Sequence, residues 1–322
     1  MACLGHHFSQ TTVTMQATPD VRFNSSHVRQ WRDEGFAIIP DFFQPAEIAP
    51  IVAEYERIYG THADPALKAA MEAGGEEAVA AFRKLQFKNI HTFPYDAEPQ
   101  MNLISLHPAL IEFARQLLGV DAVHLYQSHT WAKFTGETNY DQVHHCDFGN
   151  HTLAVPADDV ALRTVDFILY FTDVSDAHGA LHYVTKPDSD AVLRPGAVAA
   201  RPEQQDALLA REKSAACKAG TLVAHSTDTF HRGTNLTAAN GYRFTMTAGY
   251  KAKGNDLIGY HVWQATEGRD WNRVFDHASP EQLGCLGIPL PGHSYWTPRT
   301  LKLTQARWPG LDMQAYFAAA QQ

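Results

Sequence analysis

The sequence predicts an α+β protein with a mainly β core, in which helices come first and the strands of a sandwich or barrel follow. Before Gly119 the chain shows helical spacing and an Ala-, Glu- and Lys-rich stretch. After Gly119 its segments are rich in β-branched and aromatic residues, with turn signals between them. Strands and helices do not alternate regularly, so a doubly wound fold is not expected.

The helices are predicted in the N-terminal part of the chain. Residues 1–20 are polar, lack periodicity and are expected to be flexible. Ser25 or Ser26 can cap a short helix that Gly35 ends, and "FAIIP" is typical of a strand. Further helices are predicted for "QPAEIAPIVAEYERIYG", for residues 65–88 with a break at Gly74-Gly75, and for "HPALIEFARQLLG".

The β core is predicted from five segments: "AVHLYQSHTWAKF", "RTVDFILYFTDV", "ALHYVT", "GTLVAHST" and "YRFTMTAGYK". The tail adds the stiff loop "LGIPLPGHSYWTP" and a helix near "DMQAYFAAAQ". We therefore expect one domain over residues 21–322. Its parts are a helical region at 21–119, a β core at about 120–251 and a C-terminal extension at 252–322.

Composition excludes several classes of protein. The net charge is −9 and no basic block stands out, so we expect no nucleic-acid partner. Four separated cysteines form no C-x-x-C pair, which favours a reducing compartment over a disulfide framework. No secretory signal or run of 18 apolar residues is seen, so a cytoplasmic protein without a membrane partner is expected. The 18 histidines invite a search for metal ligands.

The stretch "QVHHCDFGNH" concentrates three histidines, a cysteine and an aspartate in ten residues. In a strand, residues two apart face the same side, so His145 and Asp147 can converge on one ion. His144 and Cys146 would face away. The third ligand must come from elsewhere, and His231, which follows the strand "GTLVAH", is the best candidate.

Two histidines and one carboxylate on one face leave coordination positions open. This is the facial triad of non-haem Fe(II) oxygenases, whereas zinc prefers tetrahedral sites rich in nitrogen and sulfur. With 18 histidines in the chain, however, an H-x-D tripeptide can arise by chance and its histidine can be purely structural. His225 is a rival third ligand near a strand end, but it lacks the glycine and asparagine that follow His231.

Six segments, in their order and spacing, resemble a known family. They are "WRDEGFAIIPDFF", "YQSHTWAKFTGE", "QVHHCD", "YFTDVSDAHGALHYV", "GTLVAHSTDTFHRGTN" and "YRFTMTAGY". Together they resemble the phytanoyl-CoA dioxygenase family of Fe(II)- and 2-oxoglutarate-dependent oxygenases, and the second segment resembles its ectoine hydroxylase-like members. The likeness covers roughly residues 31–58 and 123–251.

This resemblance implies a double-stranded β-helix, a jelly-roll and cupin-like barrel flanked by helices. It also implies an oxidation that uses Fe(II), 2-oxoglutarate and O2 and releases succinate and CO2. His145, Asp147 and His231 would be the metal ligands and catalytic residues. The residues implied for the cosubstrate are Arg243, which would bind its distal carboxylate, and Lys133, Gln127 and Thr234.

The chain departs from the family pattern near the expected pocket. His144 stands where the family usually has Trp, and "TKPDS" stands where it often has Pro-Gly-Ser-His. We take these differences as a sign of an unusual substrate. Substrate contacts are predicted for Phe148, His144, His129 and Trp131, and His151 is predicted to lie in the pocket or behind a ligand.

The predicted activity is oxidation, in the first place hydroxylation, of an unactivated C–H of a small molecule, as in natural-product or specialised metabolism. Desaturation, epoxidation or ring formation would use the same residues. Two other readings stay open: a non-catalytic or non-iron jelly-roll binding protein, and a metal-dependent isomerase or hydrolase. The loop "LGIPLPGHSYWTP" fits a lid over the barrel, a subunit contact in a homodimer, or a rigid surface loop.

Overall fold

The computed structural model describes residues 22–59, 90–135, 141–152, 156–239, 241–259 and 270–320. The flexible terminus expected at 1–20 and the helix predicted at 65–88, with its break at Gly74-Gly75, lie outside these ranges. In the part that is described, the strands form two antiparallel sheets, and helices pack on the outer face of the larger one.

Ten α-helices are described. Among them, no helix is long and apolar enough to cross a membrane. They are α1 (Ser25–Glu34), α2 (Pro45–Tyr59), α3 (Pro99–Leu103), α4 (Pro108–Leu118), α5 (Lys186–Val192), α6 (Gln205–Leu209), α7 (Asn272–Phe275), α8 (Pro280–Cys285), α9 (Pro298–Arg307) and α10 (Gln314–Ala319).

The described strands are β1 (Phe36–Ile39), β2 (Val123–Phe134), β3 (Thr164–Tyr170), β4 (His182–Tyr183), β5 (Lys213–Ser214), β6 (Leu222–His225), β7 (His231–Arg232) and β8 (Tyr242–Ala252). The larger sheet has the order β1-β6-β3-β8-β2, and the smaller one has the order β5-β4-β7. All pairings within both sheets are antiparallel.

The predicted elements within the described ranges are present, with local corrections. Asn24, rather than Ser25 or Ser26, caps α1, because its side chain accepts hydrogen bonds from the first backbone N–H groups of the helix. Gly35 ends this helix in the left-handed conformation, as predicted. The segment "ALHYVT" forms only the two-residue strand β4.

Alternation along β8 separates the core from the interior of the barrel. Phe244, Met246, Ala248 and Tyr250 are fully buried in the apolar core beneath the helices. Arg243, Thr245 and Thr247 alternate with these residues, point to the other face and line a cavity. One sheet therefore presents an apolar face to the helices and a polar face to the cavity.

Aromatic contacts fix the helices on the outer face of the larger sheet. Phe113 of α4 stacks on Phe167 of β3, with ring centroids 5.6 Å apart. Tyr55 of α2 is buried, and its hydroxyl donates to the carbonyl oxygen of Thr245 in β8 at 2.6 Å. These contacts hold the strands that carry the polar face.

A smaller apolar cluster joins the two sheets. Phe36 of β1 stacks on Tyr183 of β4, with ring centroids 4.7 Å apart. Ile168 and Val223 from the larger sheet belong to the same cluster. The smaller sheet is therefore anchored over the polar face of the larger one, next to the cavity.

The loop "LGIPLPGHSYWTP" packs a single tryptophan onto the core. The indole N–H of Trp296 donates to the carbonyl oxygens of Pro289 and Leu290, and its ring packs edge-on against Tyr316 at 4.7 Å. The loop contributes no residue to the lining of the cavity. This packing fits a rigid surface loop and does not support the lid.

Gly35 should tolerate a side chain poorly. Its φ is 91°, and an added Cβ would lie 2.5 Å from the Oγ1 of Thr229, which is buried. Gly254 has a similar φ of 82° but open space around it. We expect Gly35→Ala to lower the free energy of unfolding by about 2–4 kcal/mol and Gly254→Ala by only about 1 kcal/mol. Urea denaturation of the two variants measures both values, and equal losses would contradict this account of Gly35.

Candidate metal centre and its cavity

An isolated antiparallel bridge brings two of the predicted ligands together. The backbone N–H of His145 donates to the carbonyl oxygen of His231, and the N–H of His231 donates back to His145, both at 3.0 Å. Their imidazole rings lie 4.7 Å apart. The expected regular strand around His145 is not formed, because the chain turns into a short 3-10 helix at Asp147–Asn150.

The turn at Asp147 places its carboxylate between the two imidazoles. Its Oδ1 lies 3.4 Å from Nε2 of His145, and its Oδ2 lies 3.3 Å from Nε2 of His231. One ligand atom from each of the three residues lies within 4.8 Å of the others. Among the described residues this is the cluster of His, Cys, Asp and Glu whose geometry suits a metal ion.

Both histidines are oriented by the backbone two residues earlier. Nδ1 of His145 lies 2.9 Å from the carbonyl oxygen of Val143, and Nδ1 of His231 lies 3.1 Å from that of Thr229. When Nδ1–H of a histidine donates to a carbonyl oxygen, Nε2 is the ring nitrogen that remains to bind a metal. Nε2 of each ring faces the Asp147 carboxylate and is therefore the atom placed to bind a divalent cation.

The electrostatics of the cluster keep its carboxylate ionised. Burial opposes ionisation of Asp147, but His231 and His145 outweigh it and hold the pKa of Asp147 well below its usual value. Two imidazoles and one carboxylate are the donor set of a facial triad, whereas the cluster contains no thiolate of the kind common at zinc sites. The residues present therefore fit a non-haem iron ion.

Two nearby residues that could also bind a metal, His225 and Cys146, lie outside this cluster. His225 is buried beside His231, with ring centroids 5.1 Å apart, and its Nδ1 lies 3.2 Å from the Tyr183 hydroxyl. Burial, followed by the nearby His231, lowers the pKa of His225 to about 4. Cys146 turns away from the cluster and packs against the apolar side chains around Phe230.

A cavity of about 330 Å³ opens next to the three candidate ligands. The inward-facing residues of three neighbouring strands form much of its wall. Those from β2 are Gln127, His129, Trp131 and Lys133, those from β3 are Asp166, Ile168 and Tyr170, and those from β8 are Arg243, Thr245 and Thr247. A concave site of this size, with few charged groups, suits a small molecule.

One end of the cavity carries two cations. Arg243 is 6 % exposed and stands directly opposite Lys133 in the β2–β8 register. Its Nη1 donates to the carbonyl oxygen of Gly179, and its buried Nε has no hydrogen-bond partner among the described residues. No carboxylate in the part of the chain that the structure describes forms an ion pair with this guanidinium. A buried cation without an anion marks a place for a carboxylate ligand.

Two of the residues predicted for the cosubstrate lie away from Arg243. Gln127 is in register with Gly249, six residues and roughly 20 Å of strand from Arg243, because β2 and β8 run antiparallel. The hydroxyl of Thr234 donates to the carbonyl oxygen of Ala180 at 2.7 Å and does not reach the cavity wall. Lys133 therefore lies beside Arg243, whereas Gln127 lines the opposite end of the same cavity. Thr234 lies outside the described wall, so its predicted contact with the cosubstrate is corrected.

Two of the four predicted substrate contacts line the cavity. His129 and Trp131 do so, and the Trp131 indole donates to the Thr247 hydroxyl at 2.9 Å. Phe148 does not, because the turn after Asp147 carries it away from the wall. His144 does not either, because it faces the opposite side of the chain from His145. His144 is therefore no guide to the substrate. His151 lies in the wall, as predicted.

The position of His144 is explained by Glu212, a residue that sequence reasoning missed. Nε2 of His144 lies 3.0 Å from the Glu212 carboxylate, at ion-pair distance. Arg232 donates twice to this carboxylate, at 2.7 and 2.9 Å, and Nδ1 of His182 lies 2.8 Å from it. Because His144 precedes His145 and Arg232 follows His231, Glu212 ties together the outer sides of the two segments that carry the imidazoles.

Asp166 is the second residue that sequence reasoning missed. It is 2 % exposed and lines the cavity from β3. The signal was present in the sequence as a single charged residue within the apolar run "TVDFILYF". No comparable local signal marks Glu212, because it stands between two other charged residues in "AREKS" and its contacts come from distant parts of the chain.

Removing Glu212 should destabilise the fold. Its side chain is 11 % exposed, and Glu212→Ala leaves Arg232, His182 and His144 without their shared anion. We expect a loss of about 2–4 kcal/mol in the free energy of unfolding, measured by urea denaturation at pH 7. Glu203→Ala, which removes an exposed ion pair, should change it by less than about 0.5 kcal/mol.

The pH dependence of this difference provides a second check. Burial opposes ionisation of Glu212, but Arg232 and His182 outweigh it and lower its pKa. The stabilisation is therefore present above the ordinary pKa of a glutamate and is lost as the pH falls through the lowered value. The difference between wild type and Glu212→Ala should shrink in acid, and a difference that grows there would contradict this role.

Comparison with known proteins identifies the family of the chain. The family model for phytanoyl-CoA dioxygenase (PhyH) matches residues 31–243, which is more than half of the chain. The ectoine dioxygenase of Bordetella parapertussis is 28% identical over 163 residues. That match covers 50% of the chain and 48% of the relative, so the chain spans about half the length of this curated relative.

Solved structures share the fold at low sequence identity. EctD from S. alaskensis, solved with 2-oxoglutarate and 5-hydroxyectoine, has a TM-score of 0.53 at 18% identity, covering 80% of this chain and 86% of that one. The α-ketoglutarate-dependent carbocyclase SnoK from nogalamycin biosynthesis has a TM-score of 0.52 at 18% identity, covering 73% and 87%. These similarities confirm the double-stranded β-helix.

The family match includes the segment with His145 and Asp147, the segment with His231, and the strand position of Arg243. The family consists of Fe(II)- and 2-oxoglutarate-dependent oxygenases. The chain belongs to the phytanoyl-CoA dioxygenase family.

Proposed function

We propose that this protein is an Fe(II)- and 2-oxoglutarate-dependent oxygenase that hydroxylates an unactivated C–H of a small molecule. One observation supports this above all others. The two Nε2 atoms and the carboxylate of His145, His231 and Asp147 converge beside a cavity whose far end holds the buried Arg243. We also propose that residues 21–322 act as one catalytic domain.

The residues divide into two groups by role. His145, Asp147 and His231 hold the metal, and Arg243 with Lys133 holds the distal carboxylate of 2-oxoglutarate. When bound, iron and 2-oxoglutarate supply the activation of O2 for attack on the C–H bond. The planar fork of Arg243 can bind a carboxylate through two parallel hydrogen bonds, and the Gly179 carbonyl fixes its orientation.

The rest of the chain positions the reactants and excludes water. The backbone carbonyls of Val143 and Thr229 fix the two imidazoles, so that the ligand set is organised before a metal arrives. The cavity wall from β2, β3 and β8 surrounds the substrate and limits competing hydrolysis and uncoupled oxidation. Iron content and 2-oxoglutarate turnover of the same purified sample test this proposal together.

The competing readings explain fewer of these features. A metal-dependent isomerase or hydrolase on this barrel has no need of Arg243, a buried cation without a carboxylate partner among the described residues. A non-catalytic binding protein has no need of two imidazoles oriented through Nδ1 toward one carboxylate. Desaturation, epoxidation and ring formation use the same residues, and product analysis separates them from hydroxylation.

Removing the carboxylate should abolish both metal binding and turnover. We expect Asp147→Ala to weaken Fe(II) binding at least about 100-fold, since even outer partners of metal ligands change affinity by 10- to 100-fold. Conversion of 2-oxoglutarate to succinate should fall to background in the same sample. Iron content after gel filtration and succinate yield under air measure the two effects.

A pair of histidine variants discriminates the third ligand. His231→Ala should lose iron as Asp147→Ala does, whereas His225→Ala should retain it, because Nε2 of His225 lies outside the ligand cluster. Circular dichroism checks that each variant is folded. Retention of iron by His231→Ala together with its loss from His225→Ala would show that the rival histidine is the ligand.

Binding of 2-oxoglutarate should weaken as the pH rises above neutrality. Burial, followed by the nearby Arg243, lowers the pKa of Lys133 to about 7. Below this value the ammonium is present and attracts the dianion. Above it, the side chain must take up a proton on binding, so the affinity should fall by up to about tenfold per pH unit. Calorimetric titration under argon between pH 6 and 9 measures the slope.

Two substitutions test whether Lys133 causes this slope. Lys133→Met should bind 2-oxoglutarate weakly at every pH, with a flat profile. Lys133→Arg keeps the charge throughout the range and should bind tightly with a flat profile. A slope that persists in Lys133→Met would contradict the assignment.

A further inference from the structure

Asp166 is a buried carboxylate in the cavity wall that the proposed chemistry does not use. It accepts hydrogen bonds from the Tyr126 hydroxyl at 2.9 Å and from the Gln127 amide at 2.8 Å. Both donors are neutral. Within the described ranges no lysine or arginine forms an ion pair with it. A carboxylate taken out of water with only neutral partners is costly unless a cation joins it.

A glycine opposite this carboxylate makes room for it and for the side chains that contact it. Asp166 and Gln127 both stand opposite Gly249 in the sheet. A Cβ at position 249 would lie 2.6 Å from Cγ of Gln127 and 2.8 Å from Cε1 of Tyr126, and it would overlap the carboxylate of Asp166. The glycine therefore allows the glutamine and the aspartate to meet at the cavity wall.

A second polar side chain, that of His225, lies beside Asp166 and has one ring nitrogen without a hydrogen-bond partner among the described residues. His225 is the register partner of Asp166 on β6 and lines the same cavity. It is 3 % exposed, and its Nε2 has no hydrogen-bond partner among the described residues. Because the His225 ring lies 5.1 Å from that of His231, this end of the cavity adjoins the candidate metal centre.

The charged side chains of the cavity wall favour one class of substrate. Four side chains of the cavity wall are lysine, arginine or aspartate, and the proposed function employs three of them: Asp147, Lys133 and Arg243. On the basis of that function, we propose that the substrate carries a protonated amine or another cationic nitrogen group, which binds Asp166. An anionic group there would meet the carboxylate with like charge and is selected against.

Matched probes of one shape and three charges test this substrate class. Benzylammonium, benzyl alcohol and benzoate are titrated by saturation-transfer NMR at pH 7 into protein loaded with Zn(II) and 2-oxoglutarate, and into unloaded protein. Wild type should bind benzylammonium at least about tenfold more tightly than benzyl alcohol. Benzoate should not bind at the Asp166 end. Equal binding of the ammonium and the alcohol, or no binding of the ammonium, overturns the proposal.

Two variants assign the preference to this carboxylate. Asp166→Asn keeps the shape and removes the charge, so the preference for the ammonium should fall to about onefold to twofold. Asp173→Asn removes the same charge from an exposed ion pair with Lys218 and should leave the preference intact. A preference that survives in Asp166→Asn would place the cation elsewhere and overturn the assignment.

The test of the cationic substrate can fail independently of the test of the proposed oxygenase. If Asp147→Ala keeps iron while wild type prefers the ammonium, the metal assignment fails and the Asp166 site stands as a cation site. If turnover of 2-oxoglutarate depends on iron but no ammonium preference exists, the oxygenase stands and the substrate class is wrong.

Discussion

The pair of backbone hydrogen bonds between His145 and His231 is the contact on which the rest of the site depends. It joins a segment that precedes β3 to β7 of the smaller sheet, across 86 residues of chain, and sets the two imidazoles side by side. The turn at Asp147 then places the carboxylate between them. On the outer side, Glu212 contacts the same two segments through His144 and Arg232, so the candidate ligands are held from both sides.

The charge pattern of the cavity follows from the alternation of side chains along three neighbouring strands. Each strand gives one face to the apolar core under the helices and the other to the interior of the barrel. Antiparallel register then collects Arg243 and Lys133 at one end and Asp166 with Gln127 toward the other. A small molecule inside this wall is therefore exposed to a positive end and a negative end. This charge pattern fits the proposed placement of a dicarboxylate cosubstrate at one end and a cationic substrate at the other.

Local pattern and family resemblance predicted the helices at Ser25–Glu34 and Pro108–Leu118, the long strands and the three candidate ligands. They failed where several local candidates or very short elements gave no clear signal, and where the outcome depended on distant contacts. The cap of α1 moved by one residue to Asn24, and β5 and β7 are too short to give a periodic signal. The distance of Gln127 from Arg243 was not predicted, because it depends on strand register, which cannot be read from one segment alone. His144 was misjudged because its partner Glu212 lies 68 residues away.

X-ray absorption at the iron edge of the Fe(II)-loaded protein tests the central claim most directly, because it identifies the ligands without an assumption about the substrate. The structure predicts two imidazole nitrogens with the remaining positions filled by oxygen. Cys146 turns away from the cluster and His225 lies outside it, so no sulfur and no third imidazole is expected. A sulfur shell, or a third imidazole bound to iron, would contradict this account of the site.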